Sequence, residues 1–305
     1  MKGGKSRMST SRLNKRRNHW GYMFITPFFV VFALFGLYPI IYTFRLSFQR
    51  WNGFTPAINV GFQNWIRLME DATFPLSLTN TVKIWLYDFI PQLGIALLLA
   101  MIFTFKKIHG MNLFRAVYYL PNLITAASIG LLFNILFNGD KSTINQLLMK
   151  LGLLNAPVAF YKSRAITQGI SSYILWWMWF GYTMILIMAG ITSIDSTLYE
   201  AAELDGCSTW QTFHLITMPL IRPTILYITI TSIIGGIQIF DVPANLTNLA
   251  GDPQKAILTT SMYVYQQGFK NTALGYASML SVMQFLIIAA LSFIALNMIL
   301  KRGTR

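Results

Sequence analysis

Charge is scarce in this sequence: 11% of its 305 residues are Asp, Glu, Lys or Arg, less than half of the roughly 25% usual in soluble domains. With 54% of residues hydrophobic, that shortage excludes an ordinary soluble domain and points to a membrane protein. Cysteine is nearly absent. The single Cys207 excludes an intramolecular disulfide and cannot build a cysteine-rich metal site. The three histidines, His19, His109 and His214, are scattered, and no H-E-x-x-H or comparable ligand spacing occurs, so metal catalysis has no support. Acidic residues number 10 against 24 basic ones, a formal net charge of +14 that could suggest nucleic acid. The excess is local, however. Lys2, Lys5, Arg7, Arg12, Lys15, Arg16 and Arg17 stand directly before an apolar run, which reads as a topology signal and not as a nucleic-acid surface. Gly3-Gly4-Lys5-Ser6 resembles the end of a phosphate-binding loop, but the earlier glycine of that motif is missing, so no nucleotide site of that type is expected.

What the chain does have is long apolar runs. Crossing a hydrocarbon core about 30 Å thick takes about 20 helical residues. Six stretches qualify: 20–48, 82–105, 116–137, 168–191, 224–241 with a short tail, and 277–300. The first is too long for a signal h-region and no small-residue cleavage site follows it, so it is expected to remain in the mature protein. Pro27, Pro39, Pro91 and Pro121 mark expected kinks or helix starts. Basic residues near the span ends set the orientation. The N-terminal cluster, Lys106, Lys107, Arg115, Arg222, Lys301, Arg302 and Arg305 fall on one side, read as cytoplasmic. The expectation is an all-α membrane protein of six transmembrane helices with both termini cytoplasmic. A basic tail would cover 1–19, a six-span domain 20–305, and a cytoplasmic loop about 192–222.

That loop carries its own local signals. Asp195, Ser196 or Thr197 can cap a helix running through Leu198 to Leu204, and Gly206 fits the position just past its end. Ser208 followed three residues later by Gln211 is a capping-box pattern for a second helix, limited by Pro219 and Pro223. Ala201 and Ala202 give the first helix a low-profile face, while Trp210 and Phe213 offer an apolar one. Spacing alone fits either a hairpin packed on its own bundle or a docking element for another protein.

Glu200, Ala201, Ala202, Gly206, Ile216 and Pro219 resemble the EAA loop of binding-protein-dependent ABC importer permeases. "FRAVYYLP" at 114–121, "LTNLAGDP" at 246–253 and "FKNTALGYASMLSV" at 269–282 extend the resemblance to the maltose-type sugar permeases, in particular the MalF-like member of the pair. The chain departs from that family at Cys207, where alanine is common, and at Leu249, Ala250 and Asp252 in a usually glycine-rich external turn. The resemblance implies an importer type I permease fold and a subunit that performs no chemistry and binds no cofactor. ATP and Mg would sit on two cytoplasmic ATPase subunits, a second homologous permease would complete the path, and an extracytoplasmic sugar-binding protein would deliver substrate. It also implies that Glu200 anchors the ATPase contact, Gly206 lets the loop turn, the alanines permit close docking, and Asp205, Ile216 and Pro219 belong to the same coupling loop.

Within the fourth run, Trp176, Trp177, Trp179 and Tyr182 lie about ten residues in or deeper, hence roughly 15 Å from its start. Tryptophan more often marks the interface. Ser232, Gly235, Gly236 and Gln238 interrupt the fifth run at comparable depth. Aromatic faces beside hydroxyl and amide groups suit a sugar; bundle filling and close helix packing by glycine are the plainer uses. The resemblance singles out Ser232 as a sugar contact, and Gly235 and Gly236 stand where the maltose permease has larger side chains, implying a wider pocket. The competing class is a secondary transporter or channel without an ATPase. Its candidate ionisable groups, Lys83, Asp88 and Asp241, read as interfacial or snorkelling.

Overall fold

A helix satisfies its backbone N–H and C=O groups internally, as so apolar a chain requires in lipid, and the computed structural model is helical almost throughout. The structure describes residues 9–105 and 109–301. Lys2, Lys5, Arg7, the Gly3–Ser6 segment, Lys106, Lys107, Arg302 and Arg305 lie outside the described residues. In chain order the helices are α1 Ser9–Phe32, α2 Tyr38–Leu46, α3 Gln63–Glu70, α4 Thr73–Phe105, α5 Met111–Leu123, α6 Ala126–Phe137, α7 Thr143–Lys150 and α8 Arg164–Thr192. They continue as α9 Ser196–Leu204, α10 Thr209–Thr212, α11 Met218–Leu220, α12 Arg222–Ile237, α13 Asp241–Leu246, α14 Thr260–Tyr265 and α15 Leu274–Lys301. Two short strands, β1 Gln49–Arg50 and β2 Ile58–Asn59, pair antiparallel over two residues in the segment after α2, a local ladder within a mostly helical fold.

Five helical stretches among the described residues are long and apolar enough to cross a membrane: Gly21–Leu46, Thr73–Thr104, Arg164–Thr192, Arg222–Leu246 and Leu274–Ile299. The expected third span is not one straight helix. α5 and α6 meet at 88°. Thr125 adopts extended backbone and its hydroxyl caps α6 at the Ser128 N–H, two residues after α5 stops. α6 then packs on α13, where Gly130 lies so close that a Cβ there would sit 2.9 Å from Asn245 Cβ. A second correction concerns α4, which begins at Thr73 and not near 82, so Asp88 lies near the middle of its helix.

α8 is the centre of the bundle. It makes its most extensive contact with α4 and further contacts with α5 and α12. The α5 approach is tight at Gly181, where a Cβ would come within 1.9 Å of the Tyr118 carbonyl oxygen; a side chain there would force the two backbones apart. Ile84, Ile174 and Ile257 anchor one core cluster, and Met184, Ile187 and Ile191 anchor another nearer the α9 end. By contrast, the apolar window of Gly21–Leu46 has no buried residue. Chain contact resumes at α2, where Phe44 meets Phe285 of α15 edge to face at 6.1 Å.

Buried polar groups need partners, and one network ties the α4 and α8 termini to the irregular stretch after α13. Asn80 donates to the carbonyls of Lys255 and Leu258 and accepts from Arg164 and Gln168. Asp71, just before α4, accepts hydroxyl hydrogen bonds from Tyr263 and Tyr276 and backbone N–H groups from Thr73 and Phe74. Burial alone would raise its pKa, yet these four donors hold it below the ordinary value. Its stabilisation is therefore complete above the usual carboxylate range near about 4 and fades as pH falls through the lowered value. Asp71→Ala is expected to cost on the order of 2–3 kcal/mol, read as a lower thermal midpoint in detergent; an unchanged midpoint would show that α3 needs no such clamp.

Candidate functional site

α12 stops at Ile237, its last helical bond running from the Gln238 N–H to the Ile234 carbonyl, and the chain leaves the helix through Ile239 before α13 begins with the Phe240 carbonyl accepting from Ala244. Unwound backbone at membrane depth must find partners. The freed carbonyls find them: Ile237 accepts from Gln284 Nε2 at 2.8 Å and Ile239 from Thr259 Oγ1 at 2.7 Å. This break, together with α4 and α8, encloses a cavity of about 340 Å³. α8 contributes Leu175, Met178, Trp179, Tyr182, Thr183 and Leu186, spaced three and four apart along one face. α12 contributes Ile228, Thr231, Ser232, Gly235 and Gly236, with Gln238, Phe240 and Asp241 following.

Of the residues expected on the path, Trp179, Tyr182, Ser232, Gly235, Gly236 and Gln238 are thus brought together. Trp176 and Trp177 are not. At about 100° per residue they turn away from the Trp179 face: Trp176 stacks on Phe180 at 5.1 Å, and Trp177 packs into a core cluster beside Phe133. The glycines also divide. A Cβ on Gly236 would fall 2.0 Å from the Trp85 ring, whereas one on Gly235 would meet nothing within 4 Å. Gly236 serves close packing and Gly235 faces open space.

The α4 wall had no counterpart among the path residues expected from sequence. Trp85, Asp88 and Gln92 line the cavity, and their spacing of three and four in an apolar helix is the signal that could have found them. Trp85 Nε1 donates to Ser232 Oγ at 2.9 Å, and Gln92 Nε2 to Thr183 Oγ1 at 2.7 Å. Asp88 is neither interfacial nor snorkelling: it is 7% exposed, and its Oδ1 has no hydrogen-bond partner among the described residues. Gln238 also borders a second cavity of about 490 Å³, on another face of α12, with Ile234, Ser261, Gln284 and Phe285.

The second site is the loop between α8 and α12. Asp195 caps α9, its carboxylate accepting the Thr197 N–H at 3.0 Å, an interaction that lowers its pKa. At the other end the Cys207 N–H donates to the Ala202 carbonyl and the Gly206 N–H to that of Glu203, a Schellman closure with Gly206 at φ +75°. Ser208 and Gln211 form the expected capping box. α10 then passes through a π-helical turn, Phe213–Thr217, into α11, whose Pro219 supplies no N–H to the ladder. Glu200, Ala201 and Asp205 are exposed, and Ile216 and Pro219 half-buried. Two expectations are corrected by helix phase: Ala202 is buried at 5% exposure, so Ala201 alone faces outward, and Phe213 is buried at 7% while Trp210 is exposed.

A bundle of apolar helices that holds a polar-lined cavity beside a broken helix, with a capped helix–glycine–helix loop at one end, defines a multi-pass membrane transport component. Residues 89–305 match the family described as binding-protein-dependent transport system inner membrane component, and the chain belongs to it. It is therefore a permease subunit of an ABC importer, a translocation subunit without catalytic function, working with a binding protein and an ATPase. The lactose transport system permease protein LacF of Rhizobium radiobacter is 32% identical over 94% of this chain and 96% of its own length. The arabinooligosaccharides transport system permease protein AraP of Bacillus subtilis is 31% identical, covering 91% and 87%. A solved chain of a bacterial ABC transporter involved in import of the acidic polysaccharide alginate superposes with a TM-score of 0.77 at 22% identity, covering 96% of this chain and 100% of that one.

Proposed function

We propose that this chain forms one half of the translocation path of an ATP-driven oligosaccharide importer in a bacterial plasma membrane, with the α4–α8–α12 cavity as its sugar site. The observation that carries the reading is the cavity wall. Trp85, Trp179 and Tyr182 offer aromatic faces for the apolar face of a pyranose, and Ser232, Thr231 and Gln238 offer hydroxyl and amide groups for its edges. Relatives named for lactose and arabinooligosaccharide transport support that substrate class.

On this reading the bent α5–α6 pair counts as the third of six spans, and the termini and the 192–222 loop face the cytoplasm. The basic tail at 1–19 precedes the six-span domain of 20–305. A second homologous permease completes the path, two ATP-binding subunits holding ATP and Mg dock on the loop, and an external sugar-binding protein loads the cavity. This chain binds no cofactor and no nucleic acid. Glu200 is the polar anchor for the ATPase.

The alternative, a secondary transporter, is favoured by one observation, the buried Asp88 at mid-helix. Proteoliposomes holding the assembled complex separate the two. Sugar uptake is expected with internal ATP and external binding protein, and none from an imposed ion gradient alone; gradient-driven uptake without ATP would overturn the proposal.

A further inference from the structure

A carboxyl group among apolar helices is retained where something supplies hydrogen-bond donors or opposite charge. Asp88 has neither among the described residues. It is 7% exposed in the middle of α4, its Oδ1 is fully enclosed without a partner, and it forms part of the cavity wall. The polar neighbours on the same helix are already engaged, Trp85 with Ser232 and Gln92 with Thr183. A second carboxylate, Asp241, borders the same cavity from the start of α13, and among the described residues no Lys, Arg or His lines it.

We propose that Asp88 is the specificity-determining residue of this cavity: its carboxyl accepts hydrogen bonds from the hydroxyl or amino groups of a passing sugar, and with Asp241 it excludes sugars bearing carboxylate, sulfonate or phosphate. This rests on the reading of the cavity as the sugar path and adds the charge class of the substrate. A neutral sugar brings the donors that Asp88 lacks. An aminosugar brings donors and opposite charge. A uronate brings a negative charge into a space that already holds Asp241 and, among the described residues, no cation to balance it, where an unpaired charge is costly.

The test uses the assembled transporter in lipid nanodiscs without binding protein, so that the cavity alone discriminates. Saturation-transfer NMR reads the binding of maltotriose, a glucosamine trimer and a uronate trimer. The wild type is expected to bind the glucosamine trimer and maltotriose at least about tenfold more tightly than the uronate trimer. Asp88→Asn, which keeps shape and assembly size on gel filtration, is expected to bring the three within about threefold of one another. Asp241→Asn should move the ratio the same way by less, because Asp241 is exposed. Equal binding of the uronate trimer by the wild type, or an unchanged ratio in Asp88→Asn, overturns this assignment while leaving the permease reading intact. Failure of any sugar to bind the wild type overturns both.

Discussion

Gly235→Phe is expected to abolish sugar uptake while binding-protein-stimulated ATP hydrolysis by the assembled complex continues. The expectation rests on the different surroundings of two adjacent glycines. A Cβ on Gly235 meets nothing within 4 Å, so a side chain can start there without overlapping a neighbour, and the space it enters is a cavity of about 340 Å³. Gly236 provides the opposite control. Its Cβ would overlap the Trp85 ring, so Gly236→Ala is expected to destabilise the helix contact by about 1–3 kcal/mol and to lower the amount of assembled complex. Trp179→Ala should weaken uptake with little loss of assembly, whereas Trp177→Ala, which removes a half-buried ring packed against the core, should cost about 2 kcal/mol of stability, less than the loss of a fully buried ring. Normal uptake in Gly235→Phe, at equal membrane abundance, would place the sugar path elsewhere.

Glu200→Ala and Gly206→Val should both uncouple the transporter, but for different reasons. Glu200 is exposed on α9 and caps nothing, so its loss should leave insertion and subunit pairing intact and reduce transport by an order of magnitude or more, as removal of an interface anchor does. Gly206 sits at φ +75° with open space around it. A Cβ there meets no neighbour; the penalty of a valine is backbone strain of about 1–3 kcal/mol, relieved by opening the Schellman turn and re-aiming α10. Asn tolerates the left-handed region, so Gly206→Asn is expected to retain most transport where Gly206→Val does not. Equal loss in both variants would show that the position needs a missing side chain and not a left-handed backbone.

Much of this loop was legible because its signals are local. The Asp195 cap, the glycine closure and the Ser208–Gln211 capping box each involve residues within a few positions of one another. The long apolar runs were legible for the same reason. What sequence did not reveal depends on helix phase and on contacts between distant segments. Ala201 and Ala202 are adjacent in sequence but face opposite environments, and the three tryptophans 176, 177 and 179 point in three directions. Beyond its bend from α5, α6 packs on α13, over a hundred residues away. The Trp85–Ser232 bond, which sets the cavity wall, joins positions 147 apart. Asp88 was misplaced because the polar first turns of α4, with Ser77, Asn80 and Thr81 all buried, do not look like membrane helix in isolation.

The unwound turn at 238–240 has a mechanical consequence. α12 is joined at its Arg222 end, through α11, to the loop helices, and at its other end it is free of helical continuation. Open volume lies along two of its faces near that free end. It is therefore a lever with its handle at the loop and its tip in the cavity wall. Gly235 lies about 20 Å along it from Arg222, at 1.5 Å per residue, so a tilt of only about 5° about the loop end carries that glycine nearly 2 Å. A displacement of that size is comparable to the half-width of a sugar ring, and it has to carry or shear the contacts of Ile233 and Ile237 with Ile288 of α15 and of Gly236 with Trp85 of α4.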